Sequence, residues 1–256
     1  MKRIFLIALA SLLFMPLAQA QALSLNGFTQ FAAQYDLNAR VAGVISRVNV
    51  SPGQRVHKGD ILVELDATPQ QARLKKAQAM EQSLKPDTEI AELELEKALE
   101  LYDRDSLSQV ALKNAENKLA KSQAQYLAAQ AETEIAKYQL ENTRLRSPID
   151  GRVSALHRGI AQFVNPHVDS QPIVTVVSSQ HLIAVGLIGS DLWKPSLIGR
   201  AAEVKFRDRS FHGKVSFLGY KRVKKTTGVA AYEIHVSFTT EHLIPEQMPV
   251  TIELPE

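Results

Sequence analysis

Ala42-Gly43-Val44-Ile45-Ser46, followed by Gln54-Arg55-Val56, has a counterpart later in the chain: Gly151-Arg152-Val153-Ser154, followed by Gln162-Phe163-Val164. With Gly43 set on Gly151, residues 42–66 and 148–177 run in step, Gln54 over Gln162 and Val56 over Val164. In the first segment Ser51-Pro52-Gly53 and His57-Lys58-Gly59-Asp60 have turn compositions. Gln54-Arg55-Val56 and Ile61-Leu62-Val63-Glu64-Leu65 read as strands. The two segments are halves of one small β domain, and about 80 residues of helical heptads stand between them. The fold class expected is mixed α/β, elongated and modular: an antiparallel α-helical coiled-coil hairpin inserted between the two halves, followed by a small β-barrel.

The heptads decide the insertion. Thr68-Pro69 is a helix start, with Thr at the cap and Pro at the first helical position. An outgoing core line runs through Leu74, Ala77, Glu81, Leu84, Thr88, Ala91, Leu95, Ala98 and Tyr102. The returning line, Leu112, Ala115, Leu119, Ser122, Tyr126, Ala129, Thr133, Ala136 and Leu140, keeps the same alternation of three and four residues, the a/d seam of a coiled coil. Pro86 is expected to kink or break the outgoing helix near Lys85. The turn falls at Asp105-Ser106-Leu107-Ser108, where Ser108 caps the returning helix and Leu107 packs over its first turn. The returning arm is expected to run to Leu145. Ile90, Leu93 and Leu99 lie off the seam and would face water on an isolated hairpin, which points to further helix packing.

Met1-Lys2-Arg3, an apolar run to Leu17 and Ala18-Gln19-Ala20 read as a secretory signal peptide, with cleavage expected after Ala20 and an uncleaved inner-membrane anchor as the alternative. The run contains Pro16 and is shorter than a bilayer span. The chain has no cysteine, which excludes a lipoprotein anchor, disulfides and thiolate metal sites. Without Lys2 and Arg3 the 30 basic residues fall to 28 against 27 acidic, and near-neutrality argues against nucleic acid. After residue 177, candidate strands at 181–188, 201–206, 211–218, 231–238 and 250–254 with turns between them indicate a small barrel. The basic run Lys221-Arg222-Val223-Lys224-Lys225 is placed in a hairpin loop of that barrel, either solvated or touching a transporter or anionic lipid.

Ala42 to Ile45 with Val50-Ser51-Pro52-Gly53-Gln54-Arg55-Val56-His57-Lys58-Gly59-Asp60-Ile61-Leu62 resembles the first half-motif of a biotinyl/lipoyl domain. Arg146-Ser147-Pro148-Ile149-Asp150-Gly151-Arg152-Val153 resembles the signature opening the second half in periplasmic adaptor proteins, the HlyD-like membrane fusion proteins. Phe211-His212-Gly213-Lys214-Val215 and Met248-Pro249-Val250-Thr251-Ile252 resemble elements of the adaptor barrel, with Gln247 where the pattern has glycine. A carrier domain would present its cofactor on a lysine at the junction of the halves. Here that junction is Asp66-Ala67-Thr68-Pro69, so no cofactor is expected and Lys58 reads as a turn residue.

The resemblance implies domains at 1–20 (signal peptide), 21–38 (N-terminal extension), 39–67 (first lipoyl-like half), 68–146 (hairpin), 147–178 (second half) and 179–256 (barrel). At most one extra strand is available from residues 23–38 for the membrane-proximal domain that many members carry. The resemblance also implies a Gram-negative periplasmic location beside an inner-membrane complex. The partners would be an inner-membrane transporter and an outer-membrane exit channel, with hairpins assembling as a hexamer or trimer of dimers through Ile90, Leu93 and Leu99. The family's tip pattern of Arg, Leu, Ser and an apolar residue falls on Lys97, Leu101, Ser108 and Leu112, with Arg104 able to stand in for the family arginine and Leu107 beside them. Catalysis is not expected: His57, His157, His167, His181, His212, His235 and His242 are scattered singly, and no nucleophile elbow, P-loop or paired acidic motif occurs. The alternative reading is a periplasmic scaffold or binding protein that conducts no substrate.

Overall fold

The structure is a computed structural model that describes residues 23–168, 170–224, 230–242 and 244–255. The expected signal peptide and its cleavage after Ala20 lie outside the described residues. In chain order the elements are β1 (Leu23–Phe31), β2 (Gln34–Leu37), β3 (Gly43–Val48), β4 (Arg55–Val56), β5 (Ile61–Leu65), α1 (Thr68–Asp103), α2 (Gln109–Glu141), β6 (Arg144–Arg146), β7 (Gly151–Leu156), β8 (Phe163–Val164) and β9 (Val174–Val177). There follow β10 (His181–Gly189), β11 (Ala201–Phe206), β12 (Arg209–Lys224), β13 (Ala230–Thr239) and β14 (Pro249–Leu254). The described residues form two compact units, one within 34–177 and the other from 23–33 with 178–255.

The unit Gln34–Val177 holds two four-stranded sheets, ordered β2-β9-β7-β4 and β6-β5-β3-β8. Each sheet takes two strands from the chain before the hairpin and two from the chain after it. The duplication extends to single hydrogen bonds: Gly53 N–H donates to Val153 O (2.7 Å) and Val153 N–H to Gln54 O (3.0 Å). Their counterparts are Ala161 N–H to Ile45 O (2.8 Å) and Ile45 N–H to Gln162 O (2.9 Å). Ile45, Val56, Leu62, Val63, Val153, Val164, Val174 and Val176 fill the space between the sheets, each contributing about 1.5–3 kcal/mol by leaving water. The signature from Arg146 to Val153 is a latch between the halves. Arg146 Nη1 donates to Gly59 O (2.8 Å), Lys58 N–H to Asp150 Oδ1 (2.9 Å), and Arg152 Nη1 to Gly53 O (2.8 Å).

Three features of the hairpin depart from expectation. The first helical amide is served by Asp66, whose Oδ1 accepts from Thr68 N–H (3.0 Å) and Thr68 Oγ1 (2.7 Å), so Thr68 is inside the helix rather than its cap. α1 runs unbroken through Pro86; Gln82, whose carbonyl loses an N–H partner there, is exposed to solvent. The returning helix stops at Glu141, short of Leu145, because Asn142 Nδ2 and Thr143 Oγ1 bond the carbonyls of Tyr138 and Leu140, and β6 then pairs with β5. The seam itself is as read, buried or half-buried at every position except Tyr102, which is 38% exposed. Thr88 Oγ1 lies 3.0 Å from Ser122 Oγ across it.

The other unit is a closed six-stranded barrel, β1-β10-β13-β12-β11-β14. β1 alternates inward and outward side chains and closes the barrel between β10 and β14. Within the segment 21–38, expected as an N-terminal extension, the described residues supply two strands, β1 to the barrel and β2 to the sandwich, where β2 pairs with β9. Gln247 has φ 59°, the left-handed conformation that the family glycine would adopt freely. Its loop is tied to buried Thr29, which donates to Pro245 O (2.7 Å) and accepts from Met248 N–H (3.0 Å). On the barrel wall Lys205 donates to Glu253 Oε1 (2.7 Å), which raises the ammonium's pKa above its ordinary value.

Two outcomes follow from this packing. A Cβ at Gly151 would sit 2.2 Å from Val177 O, whereas one at Gly43, its repeat equivalent, meets only Leu65 at 3.5 Å. Gly151→Ala should therefore lower the thermal midpoint far more than Gly43→Ala; equal losses in a calorimetric scan would refute the asymmetry. The Asp66 carboxyl is held below its ordinary 3.8 by the hydrogen bonds from Thr68. Such a group stabilises above its unfolded value and loses that contribution as pH falls through the lowered one. Acid unfolding of Asp66→Ala should accordingly fall less steeply with pH below 3.8 than that of the parent, and parallel curves would dismiss the cap.

Candidate functional site

The tip between α1 and α2 is a five-residue reversal built from backbone requirements. Asp105 takes φ 56°, Asp105 N–H donates to Tyr102 O (2.9 Å), and Ser106 N–H donates to Leu101 O (2.8 Å). Ser108, extended, caps α2 by accepting from Ala111 N–H at 3.2 Å. Lys97 and Leu101 stand one turn apart on α1, Arg104 ends it, Leu107 and Ser108 lie in the reversal, and Leu112 is on the first turn of α2. The fold thus gathers all six expected tip residues at one end of the hairpin. Lys97 and Arg104 make no ion pair among the described residues, and Leu101 is exposed while Leu107 and Leu112 are half-buried. Two apolar tip residues escaped the sequence reading: Val110, 71% exposed, and Tyr102, which the seam had claimed.

The flanks carry more apolar surface than the sequence had marked. Ile90, Leu93 and Leu99 are all exposed. At 100° per residue Leu99 lies half a turn around α1 from Ile90, so the three serve two flanks rather than one line. On α2, Ala120, Ala124, Leu127, Ala131, Ile135 and Tyr138 are exposed at spacings of four and three, on the side opposite the seam. α2 therefore has two apolar faces, of which the hairpin satisfies one. Its alanines had concealed the second, since alanine alone does not mark a face.

Elsewhere the expected residues separate. Lys221 and Arg222 belong to strand β12, not to a loop, and are exposed; Lys224 ends that strand and Lys225 lies outside the described residues. An open cleft of about 540 Å³ at the hairpin root is lined by Asp36, Arg40, Tyr138, Glu141, Arg144 and Arg146 among others. Among the described residues no three His, Cys, Asp or Glu side chains are grouped to hold a metal, and no helix is long and apolar enough to cross a membrane. What the geometry offers is exposed apolar surface, at the tip and along both flanks.

Residues 33–177, which contain both sheets and the whole hairpin, match the family described as RND MFP, barrel-sandwich hybrid domain. The chain belongs to this membrane fusion protein family. Over 156 residues it is 35% identical to the efflux pump periplasmic linker BepF of Brucella suis biovar 1 (strain 1330), covering 61% of this chain and 38% of that one. It is 30% identical over 139 residues to an uncharacterized protein of Haemophilus influenzae, covering 50% of this chain and 30% of that one. The chain thus spans well under half the length of these curated relatives. Among solved structures, a MacA–MexA chimera carrying the Pseudomonas aeruginosa MexA α-hairpin domain is similar at TM-score 0.70 and 22% identity, covering 91% of this chain and 78% of that one. The membrane fusion protein Spr0693 of Streptococcus pneumoniae R6 is similar at 0.67 and 16%, covering 91% and 99%. These likenesses show the membrane fusion protein fold: a helical hairpin inserted in a strand-exchanged sandwich, together with a barrel.

Proposed function

We propose that this membrane fusion protein is a periplasmic adaptor linking an inner-membrane transporter to an outer-membrane channel during efflux or export, performing no chemistry itself. The observation that carries the reading is the hairpin: two helices of 36 and 33 residues, about 50 Å of reach at 1.5 Å per residue, ending in a reversal that exposes Leu101 and Val110. A catalytic insert would bring polar groups together; this one spends its length on a seam and presents apolar side chains at its end. The match to an efflux pump periplasmic linker supports the same reading. In it Lys97, Leu101, Arg104, Leu107, Ser108 and Leu112 form the docking tip toward the outer-membrane channel. The expected export signal of residues 1–20 would deliver the chain to the periplasm.

The tip is tested by Leu101→Glu and Ser108→Asp. Aspartate keeps a competent helix cap while adding charge, and Leu101 lies outside the sandwich and barrel cores. Both variants should fold and accumulate normally yet lose export in a substrate-sensitivity assay and lose crosslinks to the channel. Export at the parental level by both would remove the tip from the mechanism.

Self-association follows from the flanks. Ile90 and Leu93 on α1 and the outer apolar face of α2 are buried only if hairpins stand side by side, as a hexamer or trimer of dimers around the exit channel. Leu127→Glu and Tyr138→Glu, both on exposed positions of α2, should reduce crosslinked species above the dimer in cells carrying the whole system, with monomer helicity unchanged. Persistence of the higher species in both variants would place the contact elsewhere.

A further inference from the structure

The barrel carries an aromatic cluster where one of its ladders is interrupted. Between the pairs Leu218↔Ile234 and Arg222↔Tyr232 the β12–β13 ladder is interrupted, so that Gly219, Tyr220 and Lys221 stand against the single residue Glu233. Bulges of this kind re-aim side chains, and here Tyr220 is turned out to 73% exposure. Trp193, from the segment after β10, holds the arrangement. Its ring meets Tyr220 edge-on at 5.8 Å and Tyr232 at 5.8 Å, and its indole N–H donates to Gly219 O at 3.0 Å. Lys194, Lys221 and Arg222 are exposed beside these rings and make no ion pair among the described residues. The neighbouring carboxylates are Asp191, two residues before Trp193, and Glu233, which lies 3.7 Å from His235.

Tyrosine and tryptophan have apolar bodies and polar tips, the combination that settles at the boundary between headgroups and acyl chains; here Tyr220 is exposed and Trp193 behind it is half-buried against the barrel core. Adjacent lysine and arginine are drawn to anionic headgroups. An aromatic contact with a protein partner would not by itself call for cations around the rings, whereas an anionic bilayer uses both. We infer that the Trp193–Tyr220 bulge is a lipid-contact site that seats the barrel on an anionic membrane surface, with Lys194, Lys221 and Arg222 toward the phosphates. The inference draws on the adaptor reading only for the presence of a membrane, and its test does not use export.

Trp193 is the single tryptophan of the chain, so its fluorescence reports this patch alone. The purified full chain is titrated with vesicles of phosphatidylcholine, and with vesicles of equal phosphatidylcholine and phosphatidylglycerol. The expected result is a blue shift on the anionic vesicles only, reversed at molar salt. Lys221→Ala with Arg222→Ala should weaken that partitioning about thirtyfold. Tyr220→Ser should reduce it and Tyr220→Phe should preserve it, each variant keeping the parental far-ultraviolet circular dichroism. A shift of equal size on neutral vesicles, or partitioning unchanged in the double alanine variant, overturns the proposal. So does a crosslink from position 220 to a membrane protein when protein-free anionic vesicles give no shift, which assigns the patch to a protein contact; loss of export with normal vesicle binding would instead count against the adaptor reading alone.

Discussion

The backbone hydrogen bonds between the two halves of the repeat are what everything else rests on. Neither sheet of the sandwich is assembled from one half: β4 pairs with β7, β8 with β3, β9 with β2 and β6 with β5. A disordered insert of about 80 residues between the halves would cost about 4 kcal/mol in loop closure, beyond a constant. The hairpin avoids much of that by returning the chain to its point of departure. Leu65 N–H donates to Thr143 O at 2.8 Å, so exit and re-entry are adjacent backbone positions. Length in the hairpin is therefore nearly free for the sandwich, provided both helices change together.

The composition of the seam sets the hairpin's character. Ala77, Ala91, Ala98, Ala129 and Ala136 are buried along it, and a methyl group contributes little on leaving water, about 0.8 kcal/mol. Small side chains let the helices approach closely without a large core, and the Thr88–Ser122 contact and the Lys118–Glu94 ion pair fix which residues face each other. The apolar surface that a stouter seam would have consumed is displayed outward on α2. A hairpin built this way is completed by neighbours, and its weakness in isolation and its outward faces have one cause.

The parts legible in the sequence were those whose partners lie at a fixed spacing. The repeat, the heptads and the Ser108 cap are local patterns, and the structure reproduces them. Strand β1 was illegible as a barrel strand because its two partners, β10 and β14, are more than 150 residues away along the chain, so no local pattern points to them. The end of α2 was misjudged because Asn142 and Thr143 stop it through side-chain bonds that compete with the helix, while the pairing of β6 decides where the next element begins. Ala161, at φ 68°, occupies the repeat position of Gly53, at φ 84°; a left-handed alanine carries no mark in a sequence, and neither does Gln247. The bulge at Gly219 to Lys221 was hidden for the same reason, since the run of basic residues looked like a loop. In the tip, Lys97, Leu101, Ser108 and Leu112 were named from a family pattern, and that pattern does not mark Val110.

The reversal at residues 104–108 divides the chain into a piece with β1–β5 and α1 and a piece with α2 and β6–β14. Every core in the protein straddles that division. The sandwich draws two strands per sheet from each piece, the seam takes one helix from each, and the barrel takes β1 from the first and five strands from the second. A single cut in the exposed tip would leave two fragments, each with unpaired strand edges, and the sandwich and the seam would be complete again only where the two fragments meet. In engineering terms the sandwich and the seam form a two-input gate: either fragment alone leaves both incomplete, and their reassembly reports that both fragments are in the same compartment.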